Sequence, residues 1–222
     1  MVRKKKNTKL RNKSNLSKIA SFTAQSLSSA REKAAQTLQK NLLQHLTPLG
    51  LGKCQTHFVF HQTAPNANGI DQLQWLMSTN PGQALAPIEN VLSGGEAARI
   101  QLALMQLIGQ KNSTMMIFDE IDTGVSGQLA AAMGAVLEAM SKEKQVLAIT
   151  HLAPIAALGK AHLHISKKQG EEKTITTIAS IQDAPQRTQI LAEILSGQVN
   201  DHSQALALLL LNKQKTSQHQ EA

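Results

Sequence analysis

The sequence predicts an α/β fold with a mainly parallel sheet and flanking helices. Two apolar runs of strand length, residues 115–118 and 146–149, contain no polar residue, and each ends in polar side chains. Continuous apolar runs are typical of parallel strands covered on both faces. The helical periodicity of residues 128–140 between them predicts one right-handed βαβ unit. The polar residues that follow the two strands should therefore meet at one edge of the sheet.

These polar residues are the first candidates for a functional site. Asp119 and Glu120 follow the first run, and Thr150 and His151 follow the second. Consecutive strand residues point to opposite faces, so the two carboxylates are suited to different roles. One can hold a hydrated Mg²⁺ while the other orients a water, and His151 can donate a hydrogen bond to a phosphate oxygen. The alternative is a strand that simply ends in a polar loop.

A helix is predicted to start near Ser93-Gly94-Gly95-Glu96. Ser93 and Glu96 stand at the spacing of a capping box, which would satisfy the amides of the first turn without any ligand. Gly94 and Gly95 have no side chains, so an anion can approach the amides at this positive helix end. Both interpretations stay open from these residues alone.

The N-terminal segment is strongly basic. Residues 1–18 hold eight Lys and Arg residues and no acid, which equals the formal net charge of +8 of the whole chain. Such a block is typical of a disordered, solvated tail, and it also attracts nucleic acid in a salt-sensitive way. From about Leu16 to Leu46 apolar residues recur at helical spacing, and Pro48 and Gly50 end that helix.

The remaining segments alternate between strand and helix patterns. We expect an antiparallel pair over 56–60 and 70–76, a hairpin over 162–165 and 174–178, and helices over 185–195 and 203–211. His162 and His164 share a strand face, but no third metal ligand accompanies them. No apolar run is long enough to cross a membrane. Cys54 is the only cysteine, which excludes an internal disulfide and fits a reducing cytoplasm.

The ordered motifs resemble a known ATPase family. Leu92–Glu96, Met115–Glu120, Asp122 and Thr150-His151 resemble the signature motif, Walker B motif, D-loop and H-loop of ABC-type ATPases. With Thr79–Gly82 and residues 121–127, they resemble the C-terminal part of the RecN family of bacterial DNA repair proteins, over about residues 27–211. RecN belongs to the SMC-like group, in which a long coiled coil separates the two halves of an ATPase head.

The resemblance implies a domain plan. Residues 1–18 would form a basic disordered tail, and 19–47 an amphipathic helix that ends the coiled coil. Residues 48–211 would form the C-terminal lobe of an ABC-type ATPase head, and 212–222 a polar tail.

The resemblance also implies ATP and Mg²⁺ as cofactors. Asp119 would hold Mg²⁺ through water, Glu120 would polarise the attacking water, and His151 would contact the γ-phosphate. These roles agree with phosphoryl transfer, which depends on positioning and charge stabilisation.

The same resemblance implies that two heads share each nucleotide. Ser93, Gly94 and Gly95, with Glu96 in the same motif, would reach the nucleotide of an opposite head, and Asp122 would lie at that interface. The implied partners are a P-loop-bearing N-terminal half or a second head, and DNA through that partner and the basic tail, with no membrane partner. The implied location is the cytoplasm, in association with the nucleoid.

One motif of the family is absent from the sequence. No G-x-x-x-x-G-K-[ST] occurs in the 222 residues: Gly52-Lys53 has no upstream glycine at the required spacing, and Gly159-Lys160 is followed by Ala161. We therefore expect the chain alone to hydrolyse ATP poorly or not at all. Three interpretations remain: half of a RecN-like head, a non-catalytic remnant or binding module, and a transporter-type ABC subunit, which the flanking motifs disfavour.

Overall fold

The structure, a computed structural model, describes residues 2–108, 115–119, 121–125, 127–169 and 173–219, with side chains between positions 15 and 212. The chain forms two compact units. The first contains the N-terminal helix and residues 51–92, and the second contains residues 48–50 and the chain from Ser93 onward. The units divide near residue 92, and the predicted domain boundaries near residues 18 and 47 stay predictions.

The first unit begins with a long helix, α1 (Val2–Leu46). The predicted division between a basic tail and a helix near residue 18 stays a prediction, and helix α1 runs through the basic segment without a break. The physical reason is local, because residues 1–46 contain neither Pro nor Gly and Lys and Arg are good helix formers. The helix stops before Pro48, as predicted.

Helix α1 is anchored to the sheet of its unit at two places. Near its end, Leu42 and Leu46 are fully buried. Three to four turns further back, the Ser28 hydroxyl donates to Asp71 Oδ1 at 2.6 Å, and Arg31 Nη1 lies 3.3 Å from Asp71 Oδ2. The side chain of Asp71 is only 3% exposed, so its charge is compensated by these two helix residues.

The sheet of the first unit is antiparallel. Its strands, in spatial order, are β1 (Gln55–Asn66), β2 (Gly69–Ser78) and β3 (Ala86–Pro87). The predicted strand pair is confirmed, although both strands are longer than predicted. The turn between them is closed by the Asn68 amide, which donates to Asn66 Oδ1 at 2.7 Å, and by Gly69 at φ 109°. Asn and Gly favour such turns because they tolerate positive φ and bond their own backbone.

The second unit contains the predicted βαβ segment. Its elements are α2 (Gly94–Ile108), β4 (Met115–Phe118), α3 (Gly127–Ser141), β5 (Gln145–Ala148), α4 (Ala153–Ala156), β6 (His162–Gln169), β7 (Thr174–Ile181), α5 (Ala184–Ser196) and α6 (Asp201–His219). β4 and β5 pair in parallel, and β6 and β7 form an antiparallel hairpin. Both pairings confirm the sequence prediction. The short helix α4 was not predicted.

Among the described residues, the parallel pair is covered on one face, whereas the continuous apolar runs predicted a cover on both. Met116 and Phe118 are buried, with 8% and 7% exposure. On the opposite face, Ile117 is 62% exposed and Leu147 is 42% exposed. Because Ile117 and Leu147 are direct partners across the pair, they form one continuous apolar surface, which Met115 and Ile149 extend. We call the surface formed by these four residues the open sheet face.

The C-terminal helices close a small apolar core. Its buried members are Ala153, Ala157, Leu191, Ala192 and Ala207. Helix α6 buries Ala207 within its leucine run and leaves Leu206, Leu208 and Leu209 exposed. Among the described helices, none is long and apolar enough to span a membrane.

Candidate functional site

The two parallel strands end at the same edge of their sheet. Phe118 pairs with Ala148, and the Ile149 amide extends the ladder by donating to the Phe118 carbonyl at 2.8 Å. Asp119 and the segment after Ile149 therefore leave the sheet side by side, as the sequence predicted. Asp119 is exposed. Glu120 lies outside the described residues.

A hydrogen-bond network joins the loops that follow the two strands. The Thr150 hydroxyl donates to Asp122 Oδ2, and the His151 backbone amide donates to the same oxygen at 2.9 Å. Asp122 Oδ1 lies 3.3 Å from His151 Nδ1. The side chain of Asp122 is 1% exposed and contacts its own chain, and its assignment to an interface with a second head stays a prediction. The donors of the Thr150–His151 segment account for this burial, since a buried carboxylate needs hydrogen-bond partners.

The start of α2 packs against the loop after β4. A Cβ atom built on Gly95 would lie 3.0 Å from the Thr123 carbonyl oxygen and 3.6 Å from that of Gly124. The absence of a side chain at Gly95 is therefore explained by this close approach of two backbones. Gly94 differs, because a Cβ atom built there meets none of the described residues within 4 Å. Packing against the described residues therefore does not require glycine at this position.

The first turn of α2 contains the predicted capping box. Glu96 Oε2 accepts hydrogen bonds from the Ser93 amide at 3.0 Å and from the Ser93 hydroxyl at 2.9 Å. The Ser93 oxygen in turn lies 3.4 Å from the Glu96 amide. The structural interpretation of this motif is thus confirmed. It does not exclude an anion, because the amides of the first helical turn have no acceptor within the helix.

Arg99 holds the start of α2 in a way that sequence reasoning missed. Its Nε donates to the Gly95 carbonyl at 3.0 Å, and its Nη1 donates to the Leu49 carbonyl at 3.2 Å. One local signal for the first contact is an arginine four residues after a glycine at a helix start, where its side chain can reach back one turn. The second acceptor, fifty residues away, has no local signal.

The two hairpin histidines do not form a metal centre with other side chains. His162 and His164 share a face of the β6–β7 pair, as predicted. Across the described part of the chain, no group of three His, Cys, Asp or Glu side chains could hold a metal ion. Burial lowers the pKa of His162, and the charges of Arg187 and His164 lower it further. His162 is therefore suited to a neutral, structural role.

The chain is similar in sequence to RecN proteins. It is 37% identical over 192 residues to the DNA repair protein RecN of Vibrio cholerae, a match that covers 85% of this chain and 34% of the relative. It is 35% identical over 177 residues to RecN of Halalkalibacterium halodurans, covering 77% of this chain and 31% of the relative. The chain thus spans about a third of the length of the RecN proteins it matches. No family model matches.

Solved structures of SMC heads share the fold. An Smc head domain with a coiled coil and joint from Pyrococcus yayanosii matches with a TM-score of 0.64 at 20% identity, over 87% of this chain and 36% of that chain. An Smc head domain with an extended coiled coil from Pyrococcus furiosus, bound to the C-terminal domain of ScpA, matches with a TM-score of 0.55 at 19% identity, over 87% and 46%. The predicted fold, the C-terminal lobe of an ATPase head preceded by a coiled-coil helix, is confirmed.

Proposed function

We propose that this chain, a member of the RecN family that corresponds to the C-terminal part of those proteins, supplies half of a shared ATP site in the repair of DNA breaks. It would contribute the signature motif, the Walker B carboxylates and the H-loop. Its similarity to RecN supports the DNA repair role over the transporter alternative. The ATP site itself rests on the arrangement of these motifs.

One observation carries the proposal: three motifs far apart in sequence are joined by direct contacts. The α2 start lies against the Thr123–Gly124 loop at Gly95, and the same loop binds the H-loop segment through Asp122. At one end of this cluster, Gly94 leaves open space in front of a helix start. A glycine with neither a positive φ nor a neighbour to avoid is suited to the close approach of a ligand.

The residues present suit a magnesium nucleotide. Asp119 offers an exposed carboxylate at the end of a parallel strand, and Mg²⁺ prefers carboxylate and water ligands. The chemistry that Mg²⁺ would supply at this place is neutralisation of phosphate charge. Asp119 would hold the ion through water, Glu120 would orient the attacking water, and His151 would contact the terminal phosphate. Ser93 and Gly94 would meet the nucleotide held by the opposite head.

The proposed site needs a second polypeptide segment with a P-loop, because the sequence contains none. The open sheet face supports such a partner. It presents Met, Ile and Leu side chains that are between 42% and 62% exposed on adjacent strands, and burying a side chain of this kind contributes about 1.5–3 kcal/mol. We assign this face to the P-loop-bearing N-terminal half of a RecN-like head.

The proposal is tested by measuring association with that half. The N-terminal half of the Vibrio cholerae RecN protein, cut before the segment matched here, is titrated against this chain with and without MgATP. We expect binding that ATP strengthens, and weaker strengthening with Asp119→Asn. The matched control is Asp201→Asn, a carboxamide change at the start of α6. Binding that is indifferent to ATP would contradict the shared site and favour a non-catalytic remnant or binding module.

The basic segment favours an additional contact with DNA. Residues 1–18 contain eight positively charged residues and no acidic residue. These eight residues belong to α1. Each phosphate that such charges neutralise changes the slope of log K against log salt by about −0.9 for duplex DNA. We expect a chain without residues 2–13 to bind duplex DNA with a smaller salt slope. An unchanged slope would refute a role of this segment in DNA binding. A nucleoid-associated, cytoplasmic location is part of the same proposal.

A further inference from the structure

The carboxylate of Asp122 contacts the H-loop segment through both of its oxygens. Oδ2 accepts hydrogen bonds from the Thr150 hydroxyl and from the His151 amide, while Oδ1 lies 3.3 Å from His151 Nδ1. The Thr150 oxygen in turn accepts from the Leu152 amide at 3.0 Å. Asp122 is 28 residues from Thr150 in sequence, so these bonds connect the ends of two neighbouring strands.

The burial of the two partners is very unequal. The Asp122 side chain is 1% exposed, whereas the His151 side chain is 73% exposed. A buried carboxylate with several donors is held in one orientation, because any movement would leave a charge without partners. Nδ1 of the imidazole lies 3.3 Å from the buried carboxylate, while most of the side chain remains accessible. A ligand can therefore approach His151 while one ring nitrogen stays beside Asp122.

We propose that Asp122 is a positioning residue that keeps the proton of His151 on Nδ1 and leaves Nε2 for the nucleotide. The inference rests on the proposed ATP site and extends it. An ionised carboxylate only accepts hydrogen bonds, so the nitrogen beside it must carry the proton. In the neutral ring Nε2 then accepts a hydrogen bond, for example from a water. In the doubly protonated ring Nε2 donates one to a phosphate oxygen.

The tautomer of His151 is the direct test. Nitrogen-15 NMR of the labelled full chain distinguishes a protonated ring nitrogen from an unprotonated one, and the spectrum of His151→Asn identifies the His151 signals. We expect a protonated Nδ1 in the unsubstituted chain. A neutral ring protonated on Nε2 would overturn the inference, and the tautomer itself is read from the unsubstituted chain.

Two substitutions test whether Asp122 positions the His151 ring or only stabilises the two loops. Asp122→Asn keeps the size of the side chain and one acceptor oxygen, but its amide donates, so we expect His151 to shift toward the Nε2-protonated tautomer. Thr150→Val removes a bond to the same carboxylate without changing the group beside Nδ1, so the tautomer should stay. If Asp122→Asn alters the unfolding midpoint but not the tautomer, Asp122 only supports the loops and the inference is wrong.

The nucleotide measurement separates this inference from the proposed function. With the P-loop half present, we expect Asp122→Asn to reduce ATP turnover about tenfold or more, the loss expected for one positioned charge-assisted hydrogen bond. KM should change less than turnover. The tautomer is measured without ATP, so a wrong tautomer overturns the inference alone. A correct tautomer combined with normal turnover of His151→Asn would instead contradict the proposed role of the H-loop.

Discussion

The two adjacent glycines at the start of α2 are expected to respond in opposite ways to the same substitution. Gly95→Ala places a methyl group 3.0 Å from the Thr123 carbonyl oxygen, and backbone atoms cannot rotate away as a side chain would. Such overpacking costs about 1–3 kcal/mol. Alanine regains at most about 1 kcal/mol of helix propensity. The methyl group of Gly94→Ala meets no atom of the described residues within 4 Å, so we expect only the favourable part for it.

The stability difference between the two variants is therefore about 1–3 kcal/mol, with Gly95→Ala the less stable. For a chain of this size each kcal/mol corresponds to about 2–4 °C in Tm. Thermal unfolding followed by circular dichroism measures the difference. Equal stability of the two variants would refute the close approach of α2 to the Thr123–Gly124 loop.

The same two glycine variants distinguish an effect on stability from an effect on ligand binding. A methyl group on Gly94 lies where the proposed phosphate would approach, and one hydrogen bond to a charged group contributes about 1.5–3 kcal/mol. We therefore expect Gly94→Ala to weaken the ATP-dependent part of association with the P-loop half about tenfold while leaving Tm unchanged or slightly higher. Full ATP dependence in this variant would refute the role assigned to Gly94.

Two further predictions concern the rest of the second unit. Leu147→Ser on the open sheet face should weaken association with the P-loop half about fivefold, since burial of the exposed part of a leucine contributes about 1 kcal/mol. Leu208→Ser, at similar exposure on α6, is the control and should bind normally; equal effects would contradict the assignment of the face. The pKa of His162 is lowered on folding from its ordinary value of 6.5. Below that pH the unfolded chain therefore binds a proton more readily than the folded chain, so the free energy of unfolding should be highest above pH 6.5 and fall on acidification below it. Urea unfolding across this range, with His162→Gln as the variant that loses this dependence, measures it, and an identical pH profile of the two proteins would contradict it.

The local features of this chain could be predicted from its sequence. The β4–α3–β5 segment follows from the period of its apolar residues, and the Ser93–Glu96 capping box follows from a spacing of three. The edge at which Asp119 and His151 leave the sheet follows from the handedness of one crossover. Each of these depends on residues close together in the chain or on a strong topological rule.

The features that were missed depend on distant partners. Nothing near Asp122 indicates that its acceptors are used by Thr150 and His151, and nothing near Gly95 indicates the carbonyl of Thr123 beside it. A continuous apolar run also cannot reveal which face the same chain covers, so the exposure of Ile117 was not foreseen. Long-range pairing of this kind is decided by tertiary packing, which the local pattern of residues does not reveal.

The shared ATP site is tested by steady-state ATP hydrolysis with the purified chain, alone and together with the P-loop-bearing half of a RecN protein. We expect no turnover by the chain alone, and turnover in the mixture that Glu120→Gln abolishes. Turnover by the chain alone that depends on Glu120 would contradict the shared site. A mixture that associates but stays inactive would also contradict it, and would leave the chain as a binding module with the fold of an ATPase head.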